Sequence, residues 1–591
     1  MTFECSRSRS LREFTAASSL AIALSLGLGR ATAAKQDAPP RDAPAAARQT
    51  AYRIRTDFKS PLNADIGWPG ALNEEATVDV DQPFRIRFEL EFPGEQSGGR
   101  TYRLQCRRND GEWRHVVAED FPVPEEASPR VSIVSTGAYE HGAATTNVLS
   151  ASSAPFAAGA GVSLADATPS WSGDSVHSEW EWPLVIRRFA DGAVTSESGD
   201  VLEFRMVAAD GGRIDAVAGP RITVNVPEGH LGGTFVETPG RIGPWQATNG
   251  DLYFIMEPAE TDNLLMMVKS TDGGASWQEV DGADRPKADD LEGVASVLWN
   301  DTIYILHQTS DEVWLHSFCT SDHPTNRDQW DVRDELVATP EEPPVQVASI
   351  AVRSDGSLVG FYGGPEKVHF KTRSADGAWS EEQVLGANRP PDLSGPQAVV
   401  DRDDVVHIAY TGRDGTAWYR SLAPDGALTP RVLIANELGA TENDVGSILP
   451  LAYLPEFDSV VVIYRLASGR LWERRIAKDG RLSEPVQVTA RSVVQNAVDS
   501  DQTGADAISD GATVHVLFID DNSRDIYHAT SGRDDAWQPA KRLVEGINGQ
   551  WIRASVLQRK GRAPAIGYVY DAGSDGGSGM NRFSVMPLES R

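Results

Sequence analysis

The chain has 591 residues, with 85 Asp and Glu against 55 Lys and Arg and a formal net charge of −30. A surface that acidic excludes nucleic acid and anionic membrane as bulk partners, though not a small basic site for an anionic ligand. The length exceeds one ordinary core, and the 53 glycines and 35 prolines, with polar turns between short apolar runs, favour an all-β chain of two or more domains.

Residues 1–34 read as a signal peptide. Arg7, Arg9 and Arg12 precede the apolar run Ala16–Gly29, and Ala31-Thr32-Ala33 offers a small-residue cleavage site. The run is shorter than the ~20 residues of a membrane span, so the expectation is a secreted or periplasmic protein with no integral membrane segment after cleavage. Residues 35–50 (KQDAPPRDAPAAARQT) read as a disordered Pro/Ala linker.

From 51 to 230, period-two stretches such as Phe84–Phe92 (FRIRFELEF), Glu179–Ile186 and Val201–Val207 predict the strands of an immunoglobulin-like β-sandwich. The Gly/Ala/Ser-rich stretch 137–175 is long for a loop in such a domain. His115, His141 and His177 stand apart from one another and read as solvated or structural. Cys106 and Cys319 fall in different predicted domains, which argues against a disulfide between them. Neither has metal-ligand spacing, and no cofactor is expected.

From 231 to 591 the chain is a repeat array. A turn aromatic or leucine recurs at Trp277, Trp330, Trp379, Leu428, Leu482 and Trp537. The end of an apolar strand recurs at Met256, His307, Tyr362, Tyr410, Tyr464, Phe518 and Tyr570. Two markers in phase at about fifty residues are the pattern of four-stranded β-propeller blades, seven favoured over six. In the fourth unit the strands are expected at Gln397–Val400, Val405–Tyr410, Ala417–Ser421 and Pro430–Ile434. The last unit lacks an outer strand, which Gly233–Thr238 is expected to supply, closing the ring. His407 and His515 occupy one repeat position, so packing between blades is preferred to a catalytic pair.

The fullest turn is Ser270-Thr-Asp-Gly-Gly-Ala-Ser-Trp277, the pattern Ser-x-Asp-x-Gly-x-x-Trp. With its weaker copies it resembles the Asp-box, or bacterial neuraminidase, repeats of sialidase-superfamily propellers. Arg241-Ile242-Gly243-Pro244 is similar to the sialidase Arg-Ile-Pro motif with one glycine inserted. The resemblance implies that Arg241 clamps a substrate carboxylate and that Glu260 or Asp262, in the first blade, is the catalytic acid. The Tyr nucleophile that it also implies has no clear place, since Tyr568 and Tyr570 read as packing residues.

Propeller topology puts the Asp-box turns on the rim away from any such site. The opposite face gathers Arg241, Arg553, Arg465, Asp444 and Asp506 as candidate substrate-binding residues. Arginine forks suit carboxylates because they donate two parallel hydrogen bonds. The function expected is recognition, with or without hydrolysis, of an acidic glycan. Two alternatives stand beside it, a seven-bladed polysaccharide lyase and a non-catalytic scaffold that binds a surface protein.

Overall fold

A computed structural model describes residues 46–588 except 119–126, 191–192, 213, 233–239, 257–263, 281–284, 288–292, 310–311, 323–326, 341–347, 365–366, 387–395, 413, 439–448, 495–503, 533–535, 548, 550, 560–562 and 573–580. The leader 1–34 and most of the expected linker therefore lie outside the described residues. Among those described the regular elements are all strands, with a single 3-10 turn at Arg327–Gln329. No helix among them is long and apolar enough to cross a membrane.

The N-terminal region forms one ten-stranded sheet. Its order runs from Ile214–Ala216 through Ala47–Arg55, Phe84–Phe92, Val176–Ile186, Ala127–Ile133, Arg114–Ala118, Tyr102–Arg108, Val201–Ala208 and Arg221–Asn225 to Ala76–Asp79. A single core joins Phe88 and Trp180 from one half of that order to Leu104, Phe204 and Ile222 from the other. Distant strands share that core because the sheet curls over on itself. The first strand begins at Ala47, inside the stretch 35–50 expected to be disordered. Ala47, Gln49 and Ala51 alternate inward and pair the strand to both neighbours, which is what orders it.

Period two would assign the second face of Phe84–Phe92 to water. Instead Arg85, Arg87 and Glu89 are fully buried. The stretch 137–175 and the loop after Arg55 lie across that face and are tied to it by its charges. Arg87 donates to Glu179 (2.5 Å), to Leu62 O (2.8 Å) and to Thr146 O (2.6 Å). Arg85 pairs with Glu181 at 2.8 Å and donates to Ser60 O at 2.5 Å. Glu179 also accepts the Leu149 N–H (2.9 Å), and Glu89 the Ala151 N–H (3.0 Å). The long stretch is thus a cover over a buried ionic layer.

The remainder is a seven-bladed propeller, with six four-stranded sheets and one of three strands. Blade 4 holds Gln397–Val400, Val406–Gly412, Thr416–Leu422 and Val432–Ala435, each within a few residues of expectation. The second-strand markers Met256, His307, Tyr362, Tyr410, Tyr464, Phe518 and Tyr570 are all buried. The turn markers Trp379, Leu428, Leu482 and Trp537 each close the same bridge to the end of the third strand in blades 3 to 6.

Ring closure is described at residues 229–231. The last blade, Ile552–Leu557, Ala565–Asp571 and Asn581–Pro587, receives its fourth partner from residues 229–231. Leu231 N–H donates to Asn581 O at 2.9 Å and Phe583 N–H to Gly229 O at 2.8 Å. The expected closing strand 233–238 lies outside the described residues. The pairing at 229–231 puts a closure directly at the exit of the first domain, where His230 meets Asp81 at 2.8 Å.

The Asp-box turn locks that seam. Asp272 accepts the Ser276 N–H at 3.0 Å and the Ser270 hydroxyl at 2.8 Å, and Gly274 N–H donates to Ser270 Oγ at 2.8 Å. Burial would raise the Asp272 carboxyl, but these hydrogen bonds outweigh it and hold the group below its ordinary value. Trp277 stacks edge-on against Phe583 of blade 7, with centroids 5.4 Å apart, and Gly229 N–H donates to Ala275 O at 3.0 Å. At Gly274, with φ of +100°, a Cβ would lie 2.0 Å from the Phe583 ring. Gly274→Ala is therefore expected to cost about 3 kcal/mol, combining backbone strain and overpacking. Gly273→Ala, at φ +80° with nothing near its Cβ, is expected to cost only about 1 kcal/mol. Guanidinium melts of the two variants would measure the difference.

Candidate functional site

Arg241 and Arg553 are two of the residues expected to bind substrate on the face opposite the Asp-box turns. Both are engaged by the protein. Arg241 donates to Asp506 (3.0 and 3.3 Å), to Ala507 O (2.6 Å) and to Ala554 O (3.3 Å). It thereby ties the start of blade 1 to the inner strands of blades 6 and 7. Asp506 is buried and also accepts the Ala554 N–H at 2.8 Å. Arg553 is buried, donating to Gly240 O (3.3 Å) and Ile552 O (2.9 Å).

Arg465 stands apart from this group. It donates to Val493 O at 2.8 Å, and burial lowers its guanidinium below the ordinary value. Glu260, Asp262 and Asp444 lie outside the described residues. The structure thus brings Arg241, Asp506 and Arg553 together as a clasp between blades, while Arg465 fastens blade 5 to the loop before blade 6. The axial cavity beside Arg241 is about 230 Å³ and is walled mainly by Ala295, Val297, Ile350, Val352, Val399 and Val400. Ser296, Ser349 and Gln397 also line it, with Trp245, whose indole N–H donates to Ser296 Oγ at 2.8 Å.

A better-equipped cavity lies between blades 1 and 2. It measures about 490 Å³ and is lined by Arg285, Lys287, Trp314, His316, Arg327 and Arg333, with His307 and Glu312 beside them. Val313–Cys319 alternates so that Trp314 and His316 share a face, and the proline-flanked Arg285 and Lys287 approach from the edge of blade 1. Arg327 and Asp334 pair at 2.6 Å, and Arg285 is paired with Glu279. Lys287 is exposed and has no ion pair among the described residues.

His316 is 1% exposed and accepts the Asp334 N–H on Nδ1 at 3.1 Å, so its proton sits on Nε2. That Nε2–H has no hydrogen-bond partner among the described residues. Burial, with His307, Arg333 and Arg327 alongside, holds the imidazole well below its ordinary value, so it is neutral near pH 7. His307 stacks on His316 with centroids 5.9 Å apart, and Arg333 lies over the Trp330 ring at 5.4 Å. The cavity therefore offers cations, an aromatic wall and a buried donor with no acceptor. The residues missed in the sequence left one trace. Arg327 and Arg333 flank Trp330, which is also the repeat's turn aromatic, and the repeat signal masked the basic one.

The repeat histidines make packing pairs with hydrogen bonds of their own. His407 bridges Asp401 (3.0 Å) and the Tyr419 hydroxyl (2.5 Å) and stacks on Tyr453 of the next blade. His515 meets His528 at 3.0 Å. Tyr568 and Tyr570 stack in the core at 5.8 Å, and burial pushes the Tyr568 phenol up to about 12. Neither tyrosine is placed as a nucleophile. Cys106 is buried and free. Among the described residues no group of three or more His, Cys, Asp or Glu is placed to hold a metal.

No family model matches the chain, and no curated protein does. Solved structures similar to it are propeller proteins of low identity. The BP39L lectin from Burkholderia pseudomallei is 10% identical, with 59% of this chain and 97% of the lectin covered and a TM-score of 0.42. An ulvan lyase of polysaccharide lyase family PL25 is 10% identical, over 61% of this chain and 96% of the lyase, at 0.39. A six-bladed, fucose-recognising lectin from Aleuria aurantia is 11% identical, over 54% and 98%, at 0.35. Scores this low say nothing of what this chain binds, and the blade count rests on its own seven sheets.

Proposed function

We propose that this is an exported glycan-binding protein, in which a sandwich-like N-terminal domain is fused to a propeller that holds an acidic carbohydrate in the cavity between blades 1 and 2. The observation that carries this reading is the unpartnered His316 Nε2–H at the wall of a basic, tryptophan-edged cavity in a protein of net charge −30. A buried donor without an acceptor costs about 1–3 kcal/mol, which a ligand hydroxyl or carboxylate would recover. Lys287 supplies charge with no ion pair among the described residues, Arg327 a half-exposed guanidinium that shares Asp334, and Trp314 a flat apolar face for a sugar ring.

Lyase chemistry is the second reading, because two imidazoles share the cavity with Arg333. The low pKa of His316 makes it a weak base, which favours binding over turnover. Hydrolysis of the sialidase kind has less support, since a substrate carboxylate would have to displace Asp506 from Arg241.

The test is retention of the full chain on immobilised polygalacturonate, dextran sulfate and neutral dextran. Wild type is expected to bind the anionic polymers only. Lys287→Glu with Arg327→Glu is expected to weaken binding roughly tenfold. Equal retention on neutral dextran, or a charge-reversed variant that binds like wild type, would overturn the proposal. Release of unsaturated uronate from the polygalacturonate would promote the lyase reading.

A further inference from the structure

The outward face of the N-terminal sheet carries a second basic concavity, remote in sequence from the propeller cavity. The strands Tyr102–Arg108 and Val201–Ala208 pair antiparallel, with Gln105 opposite Arg205, Arg103 opposite Val207 and Arg107 opposite Glu203. On the other side Gln105 stands opposite His115. Because strand side chains alternate, Leu104, Cys106, Phe204 and Met206 go into the core, and the same alternation sends Arg103, Arg107 and Arg205 out together. Arg103 and Arg205 line a cavity of about 400 Å³ that also includes Gln105 and His115.

The charges here are unevenly balanced. Arg107 is paired with Glu203 at 2.6 Å. Arg205 has no carboxylate partner among the described residues. Its Nε and Nη2 converge on the Gln105 carboxamide oxygen at 3.0 and 2.8 Å, and its guanidinium lies 4.1 Å from the Trp113 ring centroid. Arg103 is exposed and likewise has no ion pair among the described residues. Burial, and Arg107 close by, lower the Arg205 guanidinium, so like charges face each other across this surface. Gln105 and Trp113 hold Arg205 in one orientation, and a guanidinium fixed in advance loses little freedom when an anion arrives.

We propose that Arg103, Arg205 and Trp113 form a second docking face for the same anionic polysaccharide, so that one chain grips the polymer at two places. The ligand class is taken from the glycan reading above, while the geometry is independent of the propeller cavity. A long acidic polymer is favoured over a small anion because the face is open and cationic, with an aromatic at its edge and no enclosing wall. Two weak sites joined through one molecule bind a repeating ligand far more tightly than either site alone.

The experiment uses the full chain and four proteins: wild type, Arg103→Glu with Arg205→Gln, Lys287→Glu with Arg327→Glu, and the combination. Each is titrated with long polygalacturonate and with a short oligogalacturonate, and its melting curve confirms folding. The N-terminal variant is expected to lose roughly tenfold in affinity for the long polymer and much less for the short one. The propeller variant is expected to lose affinity for both. If the N-terminal variant matches wild type on the long polymer, the second face is overturned while the propeller reading stands. If only the N-terminal variant loses binding, the propeller reading fails and the second face stands alone. Wild type that binds neither probe, or that binds single-stranded DNA of equal charge as tightly, overturns both.

Discussion

Glu181→Gln is expected to cost about 3–5 kcal/mol, the usual consequence of leaving buried charge uncompensated. Glu181 is fully buried and meets Arg85 at 2.8 Å, Arg87 at 3.1 Å and Arg55 at 3.7 Å, all of them fully buried too. Glutamine keeps the shape and removes the charge, so Arg87 would keep Glu179 while Arg55 and Arg85 would have no carboxylate in an ion pair among the described residues. Replacing the whole layer with apolar residues of like volume would often be neutral in a protein core. Here it would not be, because Arg85 and Arg87 also donate to Ser60 O, Leu62 O and Thr146 O, which would then be buried without donors. The loss should therefore appear twice: as a lower denaturation midpoint, and as faster amide exchange in the loops around 60 and 146. A variant with unchanged exchange in those loops would show that the ionic layer does not hold them.

That layer also marks where the sequence stopped being informative. Blade 4 could be read almost strand for strand, because the repeat supplies several noisy copies of one pattern and two markers in phase. The buried second face of Phe84–Phe92 could not. Alternation in FRIRFELEF shows which residues enter the core, but nothing local shows that a stretch some fifty residues on will return to cover the rest. The pairing at Gly229–Leu231 is illegible for a related reason. Gly229–Leu231 has no strong apolar alternation, and it pairs because the first domain delivers it beside Asn581–Phe583. The Asp box was legible as a turn but not as a seam, since Phe583 lies some three hundred residues away and only the closed ring brings it to Gly274. Residue type alone made Arg241, Arg553 and Arg465 look like a carboxylate clamp. Their acceptors are mostly main-chain oxygens of neighbouring blades, which a sequence does not display.

Asp506→Ala separates the two accounts of Arg241. If the arginine exists to clasp the ring, removing Asp506 strands a guanidinium whose side chain is 23% exposed and unties the Ala554 N–H, at an expected cost of about 3–5 kcal/mol. The blades affected would be 1, 6 and 7, because Arg241 bridges the segment before Trp245–Gln246 to Ala507 and Ala554. If the arginine instead awaits a substrate carboxylate, Asp506 is a competitor. Removing it should then free the fork and tighten binding of a small uronate with little change in stability. Conservative Asp506→Asn keeps an acceptor for the Ala554 N–H and should recover part of the loss in the first case only. A denaturant melt beside a uronate titration gives opposite signs for the two accounts. The closed arrangement at the axis, with Asp506 accepting from both Arg241 and the backbone of blade 7, predicts the stability loss and no gain in binding.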